Sequence, residues 1–300
     1  MARPRLRAIL FRNRRGLVHW RDFPADAVLV PLLCPLVAYL LSADQPFARR
    51  WGLTGKKVPK VCEQIWYLTY YVGAVWMAYA TLWDEDFMWD TTHAWKHHPF
   101  PMSASLKVYY TFQIGFYFSA LFMICFLDSK RSDFFMMVFH HFATIWLVCV
   151  SYYCQYTPIG AIILIYHDIA DVFVSTTKTA HYLDLEVTSI VSFTFLLLSW
   201  MVTRLFMYPC WALYSVIFES TAILGYVKWH EAFVFFLLSL QVLHVYWFYL
   251  FVKMAFNMLS TSNSVDDPRS DDEESDEEDA SKKRVPAARS ANGKLKRRRD

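Results

Sequence analysis

Six apolar runs of membrane-spanning length restrict the folds that this sequence can adopt. They cover residues 64–83, 106–127, 134–156, 158–177, 187–208 and 232–256. Each holds about 20 mainly apolar residues, the length that an α-helix needs to cross a bilayer. The chain is 56% hydrophobic and 18% aromatic, which is too apolar for a soluble domain of 300 residues. These features predict an all-α polytopic membrane helix bundle with six core transmembrane helices.

The sequence divides into four parts, residues 1–26, 27–59, 60–258 and 259–300. The first part is a basic segment with seven arginines. The second begins with the apolar run 27–41, which contains Pro31 and Pro35 and either crosses the membrane or dips in and returns. The third holds the six long runs. The fourth is acidic and then basic, and we expect a disordered tail because it has too little apolar surface to fold.

Lysine and arginine in the short connections predict the orientation of the bundle. Lysine and arginine are concentrated in 42–63 and 128–133, and 178–186 has Lys178, whereas 84–105 is acidic with one lysine and 209–231 has only Lys228. Positively charged loops stay on the cytosolic side of membranes. The first group of connections and the C-terminus are therefore expected in the cytosol.

Four ionisable side chains lie inside two neighbouring apolar runs. His140 and His141 belong to the third run, and Asp168 and Asp171 belong to the fourth. A helix rises about 1.5 Å per residue, which places His140 and Asp171 at a similar depth, about 10 Å from the cytosolic surface. Charges inside a bilayer cost several kcal/mol and usually mark functional sites. We therefore predict that these four residues form a catalytic site.

The directions of the four side chains indicate how they would meet. Asp168 and Asp171 are three residues apart and share a helix face, whereas His140 and His141 point about 100° apart. One histidine can then face the carboxylates. A carboxylate bonded to one ring nitrogen would make the other nitrogen a better base or nucleophile. The alternative is a structural polar cluster that holds the helices together.

Histidine pairs also occur in metal sites, which makes a metal centre the competing interpretation. His93, His97 and His98 lie in the 84–105 connection, on the opposite side of the membrane from the access route to His140. The H-x-x-H-H box of desaturases and elongases would need histidine at position 137, which is Met137. The six cysteines show no paired spacing for zinc. We therefore predict no metal and no cofactor.

The stretch from residue 128 to 182 resembles the Lag motif in the TLC domain of ceramide synthases, which are acyl-CoA-dependent sphingoid-base N-acyltransferases. The matching residues are Asp128, Lys130, Arg131, Asp133, Phe134, His140, His141, Thr144, Ser151, Tyr152, Gly160, His167, Asp168, Asp171, Lys178 and Tyr182. Two positions depart from the pattern: Ser175 stands where many members carry an acid, and Pro158 where a basic residue is common.

The resemblance implies transfer of a fatty acyl group from acyl-CoA, a substrate and not a cofactor, to the amine of a sphingoid base. His140 and His141 would be the catalytic pair, acting through a base or an acyl-imidazole, with Asp168 and Asp171 beside them. The implied substrate-binding residues are Lys130, Arg131, Lys178, Tyr152, Thr144 and His167. Positive charge among these suits the phosphates of coenzyme A, although such residues also anchor topology.

The resemblance also implies the endoplasmic reticulum membrane, contact with membrane lipids and no nucleic acid, and it leaves a homo-oligomer or hetero-oligomer open. Relatives differ in acyl length, and the 209–231 connection is implicated in that choice. Trp211, Tyr214, Phe218 and Glu219 are expected to close a pocket there. The alternative function is a non-catalytic TLC-domain protein in lipid sensing or translocation, although such relatives lack the full histidine–aspartate set.

Overall fold

The computed structural model describes residues 57–126 and 133–261, and within them the chain is helical without β-strands. The helices are α1 (Lys57–Leu82), α2 (His93–Lys96), α3 (Ala104–Phe126), α4 (Phe134–Cys154), α5 (Thr157–Tyr182), α6 (Glu186–Leu224) and α7 (His230–Thr261). The all-α prediction is confirmed. The predictions for residues 1–26, the apolar run 27–41 and nearly all of the tail fall outside the described residues.

Five described helices, α3 to α7, are long and apolar enough to cross a membrane. The first predicted span forms the 26-residue helix α1, which falls short in apolar character because it is rich in tyrosine and tryptophan, whose polar groups lower its mean hydropathy. One face of α1 still exposes large apolar side chains, including Trp76 and Tyr79, as expected for a surface against lipid. The chain is thus a polytopic membrane protein.

Local signals in the sequence set the ends of the helices around the centre of the bundle. Helix α4 ends at Gln155, whose left-handed backbone (φ 60°) lets its N–H bond back to carbonyls of the last turn. Pro158 lies in the first turn of α5, where its missing N–H costs nothing. The short link leads directly from α4 into α5, and both helices carry buried polar residues into the interior of the bundle.

Helix α6 is longer than predicted, and the prediction of a 209–231 connection was wrong. The helix passes through π-helical stretches at Met201–Leu213 and Ser215–Glu219 and ends at Leu224. Its side chains remain buried beyond the predicted end, for example Ala212 and Val216, so packing favours further helical turns. Gly225, with φ +73°, makes the actual stop.

Helix α5 occupies the centre of the bundle and packs most extensively against α1 and α6. Small, fully buried residues such as Ala74 on α1 and Ala161 on α5 suit close helix approach. Since α5 is enclosed on several sides, the polar residues that it carries are held in fixed positions inside the bundle.

Candidate active site

A cavity of about 170 Å³ lies inside the bundle between α1, α3, α4, α5, α6 and α7, and we call it the polar cavity. Its wall includes His140 and His141 from α4 and Asp171 from α5. Lys178 from α5 and Arg204 from α6 also line it. Three of the four residues predicted to be catalytic therefore share one chamber, together with one predicted substrate-binding residue.

His140 and His141 are both buried, and their rings lie 5.3 Å apart at 73°. The Nδ1 atom of each ring is sealed from solvent and has no hydrogen-bond partner among the described residues. The Nε2 atoms are therefore the ring nitrogens available to the cavity. The indole of Trp247 packs edge-on against His140 at 5.2 Å. This packing fixes the His140 ring within the polar cavity wall.

Asp171 is held by an arginine from α6. Its Oδ1 accepts a hydrogen bond from Nη2 of Arg204 at 2.6 Å, and the same Nη2 donates to the backbone carbonyl of His167 at 2.9 Å. The guanidinium also stacks 3.9 Å above the ring of Trp200. Arg204 belongs to the first π-helical stretch of α6, a geometry that occurs often at functional sites. This pair places a compensated charge in the cavity wall.

Asp168 lies behind the polar cavity and is fully buried. Its Oδ2 accepts hydrogen bonds from the amide of Gln113 and, at 3.4 Å, from the hydroxyl of Tyr109, both on α3. The expected carboxylate–imidazole bond is absent from the described residues. Asp168 accepts its hydrogen bonds from the two α3 side chains instead, and Asp171 accepts its bond from Arg204. Asp168 thus joins α3 to α5 instead of touching His140 or His141.

His167 pairs with a histidine that the sequence analysis did not consider. Its Nδ1 lies 2.7 Å from the carbonyl of Ile163 and must donate to it, so its Nε2 acts as an acceptor. Nε2 of His244 on α7 lies 2.9 Å from that acceptor and must carry the proton. His244 in turn accepts a bond from Trp200 through its backbone carbonyl. The tautomers of both histidines are therefore determined by their neighbours.

A second cavity, of about 40 Å³, lies between α3, α4, α5, α6 and α7, and we call it the apolar cavity. Its wall is mostly aliphatic and includes Leu147, Ile163 and Leu237. The predicted substrate-binding residues Thr144 and His167 line it as well. The Thr144 hydroxyl donates to a backbone carbonyl, and the His167 ring bonds to a backbone carbonyl and to His244. The surface left to the cavity is therefore mainly apolar and suits a hydrocarbon group.

The remaining predicted substrate-binding residues are Tyr152, Lys130 and Arg131. Tyr152 is buried against Tyr110, with ring centroids 6.2 Å apart, and lines neither cavity. Lys130 and Arg131 lie outside the described residues.

The residues expected to close a pocket near 209–231 do not do so. Trp211, Tyr214 and Phe218 are exposed on the outside of α6. Glu219 accepts a hydrogen bond from Thr91. Val216, on the opposite face of the same helix, lines the apolar cavity instead. The expectation assumed a loop, and the extended helix turns its aromatic side chains outward.

The histidines of the 84–105 connection lie apart from both cavities. His93 pairs with Asp90 at 3.4 Å in the exposed connection. The hydrogen bonds of Asp90 with Thr92 hold the pKa of the Asp90 carboxyl below its usual range, and burial lowers the pKa of His98. Within residues 57–126 and 133–261, no group of three or more ligating side chains is arranged to hold a metal ion.

Sequence reasoning missed three residues of the site: Arg204, His244 and Tyr117, which is on α3 and lines both cavities. Arg204 and His244 are ionisable residues inside predicted spans, so the criterion that found His140 would also have found them. Tyr117 carried no such signal, because tyrosines are frequent in this sequence.

Comparison with known proteins agrees with this architecture. The family described as TLC domain matches residues 60–253. Ceramide synthase 5 of Mus musculus is 38% identical over 214 residues, covering 71% of this chain and 51% of that protein. Ceramide synthase hyl-2 of Caenorhabditis elegans is 34% identical over 253 residues, covering 80% and 76%. Ceramide synthase 1 LOH3 of Arabidopsis thaliana is 32% identical over 230 residues, covering 72% and 75%.

The chain spans about half the length of the mouse and human ceramide synthase 5 proteins, and three quarters of the nematode and plant proteins. The domain match covers well over half of this sequence and includes α3 to α6 and most of α1 and α7. The chain belongs to the ceramide synthase family of TLC-domain proteins.

Proposed function

We propose that this protein is a ceramide synthase, which transfers a fatty acyl group from acyl-CoA to the amine of a sphingoid base such as sphinganine. The observation that carries the proposal is the meeting of His140, His141 and Asp171 in one cavity inside a membrane bundle. The named relatives support it, since each is described as a ceramide synthase. The products are (dihydro)ceramide and free coenzyme A.

The chemistry requires a base beside the amine. An alkylammonium has a pKa of about 10 and must lose a proton before it attacks, and imidazole is a suitable acceptor. The amine nitrogen then bonds to the thioester carbon and gives its second surplus proton to the histidine, and the carbon–sulfur bond breaks with its electron pair leaving on sulfur. One of the two protons taken from nitrogen protonates the thiolate, and the other passes to solvent. In the two-step alternative, a histidine Nε2 first takes the acyl group as an acyl-imidazole. His140 and His141 both suit these roles.

Asp171 is the proposed partner of the sphingoid base. Arg204 donates a hydrogen bond to Oδ1 of Asp171, and Oδ2 of Asp171 has no hydrogen-bond partner among the described residues. Asp171 lines the polar cavity. A carboxylate oxygen in this position suits the ammonium or a hydroxyl of the base. Asp168 would not contact the substrate. Its hydrogen bonds with Gln113 and Tyr109 hold α3 against α5.

Acyl-CoA would bind across both cavities. Lys178 offers positive charge at the polar cavity for the phosphates of the coenzyme, and Lys130 and Arg131 are proposed to add to it. The acyl chain would enter the apolar cavity beside Thr144 and His167. An apolar wall suits methylene groups, because each one gains free energy on leaving water.

The protein is proposed to reside in the endoplasmic reticulum membrane with a cytosolic C-terminus. It would be surrounded by membrane lipids, and a homo-oligomer or a hetero-oligomer is open to it. Lys130 and Arg131 in the 128–133 connection and Lys178 near the end of α5 support a cytosolic entrance to the polar cavity.

The test is acyl transfer by the purified full chain in lipid nanodiscs, with sphinganine and saturated acyl-CoAs of several lengths. We expect ceramide formation by the wild type and losses of at least about a hundredfold in His140→Ala and His141→Ala. His97→Ala removes an exposed histidine of the 84–105 connection and is the matched control. A wild type that binds lipid but forms no ceramide would support the non-catalytic alternative.

A further inference from the structure

Tyr117 on α3 lies where the two cavities meet. Of the described residues it alone lines both the polar cavity and the apolar cavity. The polar cavity on one side carries His140, His141 and Asp171, and the apolar cavity on the other side is mostly aliphatic. Tyr117 therefore marks the boundary between a polar and an apolar environment inside the bundle.

The position of the Tyr117 ring is well determined. The residue is 5% exposed, and its ring packs 5.7 Å from Phe116 and 6.0 Å from His141. Its hydroxyl makes no hydrogen bond within residues 57–126 and 133–261, and it is not one of the sealed polar atoms there. A buried tyrosine hydroxyl normally has a partner, so this one is available to a ligand.

An acyl thioester has a polar part and an apolar part, as the two cavities together do. This step rests on the proposed function. Its coenzyme is polar, its chain is apolar, and the carbonyl stands between them. With the chain in the apolar cavity and the coenzyme in the polar cavity, the carbonyl lies at the boundary that Tyr117 and His141 form. The reacting carbonyl would therefore lie beside the Tyr117 hydroxyl, which has no hydrogen-bond partner among the described residues.

We propose that the Tyr117 hydroxyl donates a hydrogen bond to the carbonyl oxygen of the acyl thioester and stabilises the oxyanion that forms on it. Attack on the carbonyl carbon moves the π electron pair onto oxygen, where the hydroxyl meets the negative charge. When that pair returns, the carbon–sulfur bond breaks and sulfur leaves with its electrons, then takes the proton that the histidine removed from the amine. Tyr117 donates a hydrogen bond throughout and keeps its own proton.

The test is Tyr117→Phe in the purified full chain, assayed in nanodiscs with acyl-CoA and sphinganine. Phenylalanine keeps the ring contacts with Phe116 and His141 and removes only the oxygen. We expect kcat to fall about a hundredfold, the size seen for loss of one oxyanion donor. The KM for both substrates should change less than about threefold, because the interaction strengthens in the transition state.

Tyr156→Phe is the control, since Tyr156 is equally buried but lies in neither cavity. It should keep kcat within about twofold of the wild type. Melting temperatures of both variants show whether folding is retained. A Tyr117→Phe protein that melts like the wild type and keeps more than half of kcat would overturn the role of Tyr117 and leave the proposed function standing. A wild type without turnover would overturn both.

Discussion

Arg204 on α6 and Asp171 on α5 form an ion pair inside the bundle, with 2.6 Å between Nη2 and Oδ1. The arginine is 3% exposed. Removing two charges from water costs several kcal/mol per ion, and the pair recovers this only while both partners are present. The second bond of Arg204, to the carbonyl of His167, joins the same two helices one turn away.

Arg204→Met should therefore destabilise the protein by about 1–3 kcal/mol, because the partly buried Asp171 carboxylate then loses its counter-ion and its hydrogen-bond donor. The double variant Arg204→Met/Asp171→Leu should regain much of that loss, since replacing both partners by apolar residues is often nearly neutral. Thermal unfolding in nanodiscs measures both changes. A double variant that is less stable than Arg204→Met would contradict this account of the pair.

The two aspartates should respond differently to the same substitution. Asp171→Asn should raise the KM for sphinganine about tenfold, because a neutral amide binds an ammonium weakly. It should also lower the melting temperature, because the buried Arg204 loses its counter-ion. Asp168→Asn should leave that KM unchanged and lower stability by about 1–3 kcal/mol. With the amide oxygen facing Gln113 and Tyr109, the amide N–H2 takes the place of Oδ1, which has no hydrogen-bond partner among the described residues. Steady-state kinetics with each substrate varied, beside melting temperatures, separates the two effects. Equal changes in KM would show that Asp168 also meets the base.

The sequence was sufficient to predict the helical membrane bundle and the meeting of His140, His141 and Asp171. Both predictions rest on local properties, namely apolar length and ionisable groups where charge is costly. The bonding partners were not predictable in this way. Asp168 bonds to Gln113, 55 residues away, and Asp171 to Arg204, 33 residues away, and such pairs depend on how the helices pack.

The length of α6 was predicted wrongly from the sequence for a different reason. Its predicted end was set by the thickness of a bilayer, but packing of Ala212 and Val216 continues the helix to Leu224. Gly225 was the stop signal in the sequence, since glycine adopts the left-handed backbone that ends helices. The inward face of this extension then supplied Val216 to the apolar cavity, where aromatic residues had been expected.

His244→Phe tests the histidine pair. Phenylalanine preserves much of the ring packing against Trp200 and Tyr208 but leaves Nε2 of His167 without a donor. An unsatisfied buried acceptor costs about 1–3 kcal/mol, so the variant should melt at a clearly lower temperature. His244→Gln offers an amide N–H and should lose less. The same melting temperature for His244→Phe and wild type would show that the bond contributes nothing to stability.

Gly160 on α5 should tolerate no side chain. A Cβ there would lie 1.8 Å from the hydroxyl oxygen of Tyr110, whose ring is fully buried and whose hydroxyl lies 3.2 Å from Ser151. Gly160→Ala forces this packed contact apart and should destabilise the protein by about 1–3 kcal/mol. Melting temperature and the yield of folded protein measure the loss.

Tyr110→Phe added to Gly160→Ala removes the clashing oxygen and leaves the ring carbon at 3.1 Å as the next neighbour, so part of the stability should return. Gly73→Ala is the matched control on α1, where a Cβ meets nothing within 4 Å. It should be neutral or stabilising by about 0.5–1 kcal/mol, because alanine favours a helix more than glycine does. A Gly160→Ala protein as stable as Gly73→Ala would show that α3 and α5 are less closely packed than this geometry requires.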